Sequence, residues 1–165
     1  MLSIDFLKLK ERNDFERKKK IRLLTFEMNK LVKSGRYRAL AITLTFEEQD
    51  FYLDFLKKGG IRWLLNDLTS YIKREYNRRD FFYLWILEMQ RRGVPHYHIL
   101  LIVPKHIRIP YLDKWVFSFG MTNIKELKNF GSNYLLKYFY ANKDYQQDFR
   151  RLREFLRSIG LKIRT

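Results

Sequence analysis

Hydrophobic residues recur at helical spacing in residues 14–33 and again in residues 61–79. Ser34-Gly35 follows the first segment and favours a helix end, and Gly59-Gly60 precedes the second. The pattern therefore predicts an amphipathic helix over each segment. The apolar stripe of the first consists of Ile21, Leu24, Met28 and Leu31, and that of the second of Ile61, Leu64, Leu65, Leu68, Tyr71 and Ile72.

Continuous runs of β-branched, aliphatic and aromatic residues indicate buried strands over residues 39–46, 81–89 and 95–103. The last two runs are separated by a short, charged, glycine-containing turn, which predicts an antiparallel hairpin. A short fourth strand is expected at 121–124. Further helices are expected at 111–117, 133–142 and 144–159, the last strongly basic. This order predicts an α+β fold, a central antiparallel sheet with helices packed on it, in one domain spanning residues 1–165.

Charge narrows the class of partner. The chain has 34 Lys and Arg against 18 Asp and Glu, a net charge of +16, which attracts nucleic acid first and anionic membranes second. Aromatic residues make up 17% and are interleaved with the basic ones, which suits single strands whose bases stack on rings. Most individual rings are nevertheless expected in the core.

Several classes are excluded by what the sequence lacks. It has no cysteine, which rules out disulfides, thiolate metal sites and a cysteine nucleophile. No run approaches the 18 apolar residues or so that a membrane span needs, and the first residues do not resemble a signal peptide. We therefore expect an intracellular protein with no membrane partner.

Two of the three histidines lie at alternate positions of the third strand, His96 and His98. Side chains at i and i+2 of a strand share a face, with Cβ atoms about 6–7 Å apart, so both imidazoles can converge on one divalent ion. Tyr97 should face the other way. The alternative is that each is an ordinary core histidine. His106 lies beyond Pro104 and is expected in a loop.

Glu88 lies on the facing arm of the hairpin, just before the turn, and should come opposite the start of the third strand. A carboxylate after an apolar run is costly to bury, and a metal relieves that cost. Two histidines and one carboxylate with open positions suit Mg²⁺ or Mn²⁺, and Zn²⁺ also fits. The alternative is an exposed glutamate paired with Arg91 or Arg92.

The third feature is a pair of tyrosines at i and i+4, Tyr134 and Tyr138, with Lys137 on the same side of the expected helix. A phenol with its ordinary pKa of about 10 is a poor nucleophile, and a nearby cation favours the phenolate. Taken alone, aromatic residues at this spacing are usually core. Their position downstream of the histidine strand makes the pattern specific.

These motifs resemble those of the HUH endonucleases, especially the replication initiators of rolling-circle plasmids and small single-stranded DNA phages. Residues 41–46 resemble the first, structural motif, and residues 95–101 the His-hydrophobic-His motif, with Glu88 where a third ligand is often supplied. Residues 134–138 resemble the YxxK motif in its two-tyrosine form, and residues 140–143 the basic run that follows it. The resemblance spans about two-thirds of the chain.

The resemblance implies an RRM-like or ferredoxin-like sheet of about five strands with the histidine pair on a central strand. It implies metal-dependent transesterification, in which a tyrosine joins the 5′ end of nicked single-stranded origin DNA and frees a 3′-OH. No nucleotide cofactor is implied. Because no Walker-type motif occurs, a separate host helicase and a host polymerase are expected, in the cytoplasm of a prokaryotic cell. The chain is a candidate fragment of a longer initiator.

Three alternatives remain at this point. A tyrosine transposase of the same superfamily usually has one tyrosine, and a relaxase usually places it before the histidines. An RRM-like single-strand-binding module without catalysis would leave the paired histidines unexplained. DNA contacts are expected from basic residues near the motifs, although each has the alternative of a solvated position; they are Arg91, Arg92, Lys143, Arg150, Arg151, Arg153 and Arg157.

Overall fold

The computed structural model of the chain describes residues 3–4, 14–89, 94–109, 119–131, 134 and 162–163. The helices in this part are α1 (Asp14–Lys33), α2 (Gln49–Lys57) and α3 (Gly60–Tyr76). The strands are β1 (Ser3–Ile4), β2 (Tyr37–Phe46), β3 (Phe82–Met89), β4 (Pro95–Pro104), β5 (Gly120–Leu127) and β6 (Lys162–Ile163). The helices expected at 111–117, 133–142 and 144–159 lie outside the described residues.

The main sheet is antiparallel and has four strands in the order β3-β4-β2-β5. The predicted hairpin is the β3–β4 pair, and β4, which carries both histidines, is an interior strand, as expected. The predicted α+β class is confirmed. The expected count of about five strands was slightly high, since β1 and β6 form a separate parallel pair instead of extending this sheet.

One face of the sheet packs against α2 and α3. Alternate residues of β2 and β4, such as Ile42, Leu44 and Ile99, are buried there in one cluster with the inner faces of the two helices. Aromatic rings fill the end near α2, where Phe46 and Phe55 have centroids 5.1 Å apart. This helical layer fixes the direction in which every side chain of β4 points.

The opposite face of the sheet is divided along the strand direction. At one end lie Ala39, Leu100 and Ile102, which are fully buried although they do not belong to the first cluster. Helix α1 contacts β2 and has a fully buried Met28, so it covers this end. The other end of the same face carries the side chains of His96 and His98, which are only half-buried.

Element boundaries differ from the expectation where a backbone conformation decides them. The helix predicted to reach residue 79 ends at Tyr76, because Asn77 adopts a left-handed conformation (φ 51°) and its N–H caps the carbonyl of Lys73. Helix α2 was not predicted, although Phe51 and Phe55 lie at i and i+4. Gly59, at φ 110°, makes the turn from α2 into α3.

Strand β5 is longer than the four residues predicted. It pairs with nearly the whole of β2, from Phe46 opposite Gly120 to Ala39 opposite Leu127. Its start needs glycine, because a Cβ atom at Gly120 would lie 1.9 Å from the carbonyl oxygen of Thr45. As an edge strand with mostly exposed residues, β5 has no alternation of buried and polar positions from which its length can be predicted.

Candidate functional site

The β3–β4 register brings together the three residues that the sequence predicted as a cluster. Glu88 is directly opposite His96, and Ile86 is opposite His98. Because side chains alternate along a strand, Glu88, His96 and His98 project from the same face, away from the helical core. One carboxylate oxygen, Glu88 Oε2, lies 2.8 Å from His98 Nε2 and 3.5 Å from His96 Nε2.

The three side chains have the chemistry of a cation site. Each offers one ligand atom, and these atoms lie within 4.8 Å of one another. The imidazole rings of His96 and His98 are 4.8 Å apart between centroids and inclined at 65°. The hydrogen bond with His98 lowers the pKa of the Glu88 carboxyl below its ordinary value, with a smaller opposing effect of burial. The glutamate is therefore a carboxylate, which is the form that binds a metal.

A further residue, Thr43, supports this cluster and was not predicted. It is opposite His98 in the β2–β4 register, and its Oγ1 lies 3.4 Å from His98 Nδ1. The contact on Nδ1 leaves Nε2 of the same ring directed at Glu88, the arrangement by which outer contacts orient a ligating histidine. A sequence signal existed, since Thr43 and Thr45 are polar positions at alternate places in an apolar strand.

The polar face continues across the sheet to its edge. Met121 is opposite Thr45 and Asn123 is opposite Thr43, so both lie on the histidine face of β5. Met121 is 75% exposed, an unusual degree for a large apolar side chain in a strand. The face thus extends from the carboxylate of β3 to an exposed apolar edge on β5.

Tyr134 is the only predicted tyrosine among the described residues. Its backbone N–H donates to the carbonyl of Gly131 at 3.0 Å, and its half-buried ring lies 5.5 Å from the ring of Phe130. Phe130 is buried and bonded to Asn29 of α1 through both of its backbone polar groups. The segment that follows β5 is therefore attached to the helix that covers the other end of the histidine face.

The remaining predicted site residues lie outside the described part of the chain. They are Lys137 and Tyr138 of the tyrosine motif and the DNA-binding candidates Arg91, Arg92, Lys143, Arg150, Arg151, Arg153 and Arg157. His106 lies in a turn after β4, as expected for a loop residue. Within the described ranges, no helix combines the length and apolar character needed to cross a membrane.

Comparison with known protein families places this site in a wider group. A family model for replication-associated proteins of the ORF2 type matches residues 39–143, which include β2, the β3–β4 hairpin, β5 and the tyrosine motif. No curated protein and no solved structure matches the chain. The matched range contains Glu88, His96, His98 and Tyr134.

Proposed function

Because the chain belongs to the ORF2-type family of replication-associated proteins, we propose that it is an HUH-type endonuclease that initiates rolling-circle replication by nicking single-stranded origin DNA. The observation that carries the proposal is the convergence of Glu88, His96 and His98 on the open end of the sheet face. A structural role for these residues would not require two imidazoles and a carboxylate to meet at a partly exposed surface.

In this proposal Glu88, His96 and His98 hold a divalent cation, Mg²⁺ or Mn²⁺. The donor set fits, since it offers two imidazole nitrogens and one carboxylate oxygen from a single face and leaves the solvent side for oxygen ligands. When bound, the cation polarises the scissile phosphate. Thr43 fixes the ring of His98 through Nδ1, and the rigid β3–β4 ladder fixes the spacing of the three ligands.

Tyr134 is the proposed nucleophile, and its reaction is a transesterification. Its phenolic oxygen forms a bond to phosphorus as the bond from phosphorus to the 3′ oxygen breaks. The phenolic proton passes to solvent, and the departing 3′ oxygen takes up a proton to become the 3′-OH that primes synthesis. The number of phosphoester bonds is unchanged, so the DNA 5′ end stays linked to Tyr134 at nearly constant energy and can be religated.

Further parts of the proposal concern the second tyrosine and the partners. Tyr138 would cut the regenerated origin while Tyr134 holds the parent strand, and Lys137 would favour the phenolate form. A host helicase would separate the strands and a host polymerase would extend the 3′-OH. The basic candidates near the motifs would contact the DNA backbone; they are Arg91, Arg92, Lys143, Arg150, Arg151, Arg153 and Arg157.

The single strand itself would lie across the exposed part of the histidine face towards β5. Support comes from the polar row formed by Thr45 and Thr43 and from the exposed Met121 at the edge, which offers an adaptable apolar contact to a base. Lys125, also exposed on this face of β5, would meet a phosphate.

The test is mass spectrometry of the covalent adduct formed with single-stranded origin oligonucleotides in the presence of Mg²⁺ or Mn²⁺. We expect a peptide containing Tyr134 linked to the 5′ end, a marked loss of adduct in Tyr134→Phe, and none in the Tyr134→Phe, Tyr138→Phe double variant. Tyr52→Phe, which keeps its ring against Phe46, is the matched control and should react like the wild type. Chelation of the metal should abolish the reaction.

Two outcomes would contradict the proposal. An adduct formed by the double variant would remove the tyrosine assignment, and nicking unaffected by chelation would remove the metal assignment. If the protein bound single strands but formed no adduct with any replicon's origin, a non-catalytic binding module would be the better description. Strand transfer between unlinked target sites, without origin dependence, would instead favour a transposase.

A further inference from the structure

A second cluster of charge lies at the end of the sheet opposite to the histidine pair. A cavity with a volume of about 540 Å³ is lined there by Gly35, Arg36, Arg78, Pro104, Lys105, His106 and Arg108. These residues come from the turns after α1, α3 and β4, which meet where β2 begins and β4 ends. At about 3.4 Å per residue, β4 separates His98 from Pro104 by about 20 Å, so the cavity is distinct from the candidate metal centre.

The cations of this cavity are not equivalent. Arg78 is bonded to Asp80 through both nitrogens of one edge of its guanidinium, with a distance of 2.7 Å from Nε to Oδ1. Its charge is thereby compensated. Arg36, Lys105 and Arg108 are exposed, and no carboxylate lies within ion-pair distance of them in the described part of the chain. The cavity wall therefore has three uncompensated positive charges.

The backbone of these three residues is held in place while their side chains are not used by the fold. The N–H of Lys105 donates to the carbonyl oxygen of Arg36 at 2.9 Å. The hydroxyl of Tyr76 accepts from the N–H of Arg108 at 2.9 Å and donates to its carbonyl at 3.2 Å. The main chain thus fixes where the cationic side chains begin, which is the arrangement of a preformed binding surface rather than a flexible tail.

Like charges brought together in this way repel unless an anion joins them. The neighbouring Arg38 feels this directly, because burial, and next the charge of Arg108, lower the pKa of its guanidinium. Its buried Nε has no hydrogen-bond partner among the described residues, although its terminal nitrogen donates to the carbonyl of Ile107. This end of the sheet is therefore electrostatically unbalanced in the absence of a ligand.

We propose that Arg36, Lys105 and Arg108 form a second DNA-binding site, which takes backbone phosphates of the strand some distance from the nick. The inference rests on the proposed function, in that DNA is the substrate. Phosphodiesters are the class of ligand because the cavity offers several dispersed cations and only the edge rings of Tyr76 and His106. A span of about 20 Å corresponds to about six phosphates at 3.4 Å each, so only DNA that extends well beyond the scissile bond reaches both sites.

The test measures binding of a labelled oligothymidylate of about 20 nucleotides by fluorescence anisotropy over a series of salt concentrations. A chelator is present, so that the result does not depend on cleavage. The variant is Arg36→Gln with Lys105→Gln, which removes two charges and leaves every backbone bond in place. We expect a loss of affinity on the order of tenfold and a salt slope smaller by about 1.4, which is 0.7 for each lost phosphate contact on a single strand.

The matched control is Lys57→Gln with Arg62→Gln, an equal charge change on α2 and α3. Arg62 lies about 20 Å from Tyr76 at 1.5 Å per residue of helix, away from the cavity. An unchanged slope in this control supports the site. An equal loss in both variants, or none in the cavity variant, would overturn the proposal by reducing the effect to net charge.

A competition arm separates two sources of phosphate. If a mononucleotide at constant ionic strength removed the difference between wild type and the cavity variant, the site would bind free nucleotides and the proposal would be wrong. Failure of adduct formation, by contrast, would count against the nicking function without changing these binding results. The two hypotheses are therefore tested separately.

Discussion

The side chain of Asn29 in α1 forms a two-way amide pair with the backbone of Phe130. Its Nδ2 donates to the Phe130 carbonyl at 2.9 Å, and its Oδ1 accepts from the Phe130 N–H at 3.1 Å. Phe130 in turn contacts the ring of Tyr134. One polar residue of a distant helix therefore anchors the segment that carries the proposed nucleophile.

Replacing Asn29 by leucine keeps the size of the side chain and removes both hydrogen bonds. Two partly buried backbone groups then lose their partner, which should lower the free energy of unfolding by about 2 kcal/mol. Misplacement of Tyr134 should slow adduct formation on the order of tenfold to a hundredfold.

The measurements are urea denaturation and the single-turnover rate of adduct formation for Asn29→Leu. The control is Arg22→Ala on an exposed part of α1, which should change stability by less than about 0.5 kcal/mol and leave the rate unchanged. If Asn29→Leu is destabilised but reacts at the wild-type rate, the pair stabilises the fold without positioning the tyrosine.

Gly120→Ala tests the attachment of β5 to β2. The new Cβ atom would lie 1.9 Å from the Thr45 carbonyl oxygen and 2.9 Å from Phe46 Cα, so the edge strand must move away. We expect a loss of at least about 2 kcal/mol in the free energy of unfolding, as for an overpacked site. Gly131→Ala is the control, since a Cβ there meets nothing within 4 Å. Equal stabilities of the two variants by urea denaturation would contradict the strand pairing described above.

The predictable part of this protein is the part in which local pattern determines structure. Residues 81–89 and 95–103 are apolar runs joined by a short turn, and this fixed the hairpin and its register. The spacing of two between His96 and His98 then fixed their common face, and Glu88 followed from its position before the turn. The cluster was predictable because each step used neighbours in sequence.

The unpredicted features depend on distant partners. Asn29 bonds to a backbone group 101 residues away, and no local pattern identifies that partner. Strand β5 is an edge strand whose polar residues gave no periodic signal beyond residues 121–124. The second basic cluster joins Arg36 and Arg108 through three separate turns, each of which is an ordinary charged loop in the sequence.

Lys125→Gln tests the proposed path of the single strand across the histidine face. Lys125 is exposed and opposite Ala41, on the same face of the sheet as His98. Loss of one phosphate contact should reduce the salt slope of single-strand binding by about 0.7 and leave the reaction of bound DNA unchanged. The control is Glu126→Gln, the next residue along β5, which points to the other face. A slope change in the control that matched that of Lys125→Gln would show that the face is not the determinant.

Asp80 should make the stability of the fold sensitive to acid. Its carboxylate accepts a hydrogen bond from the Tyr37 hydroxyl at 2.8 Å and is paired with Arg78, which connects the start of β2 to the segment before β3. Burial alone would raise the pKa of Asp80, but the hydrogen bonds from Arg78 and Tyr37 outweigh it, and the pKa is lowered from 3.8. The folded state therefore binds this proton less readily than the unfolded state does.

It follows that the contribution of Asp80 is fully present above pH 3.8 and is lost as the pH falls through the lower folded pKa. Asp80→Asn should cost about 1–2 kcal/mol near neutral pH, a value reduced by partial exposure of the pair. The difference between wild type and variant should shrink steadily at more acidic pH in urea denaturation.

The same pH series on Asp67→Asn corrects for the loss of any carboxylate, since Asp67 is exposed and has no ion pair within the described residues. A wild-type advantage over Asp80→Asn that persisted unchanged through the acid range would mean that neutral hydrogen bonds, rather than the ionised carboxylate, stabilise this junction. A narrowing difference assigns the acid sensitivity to the ion pair of Asp80 with Arg78.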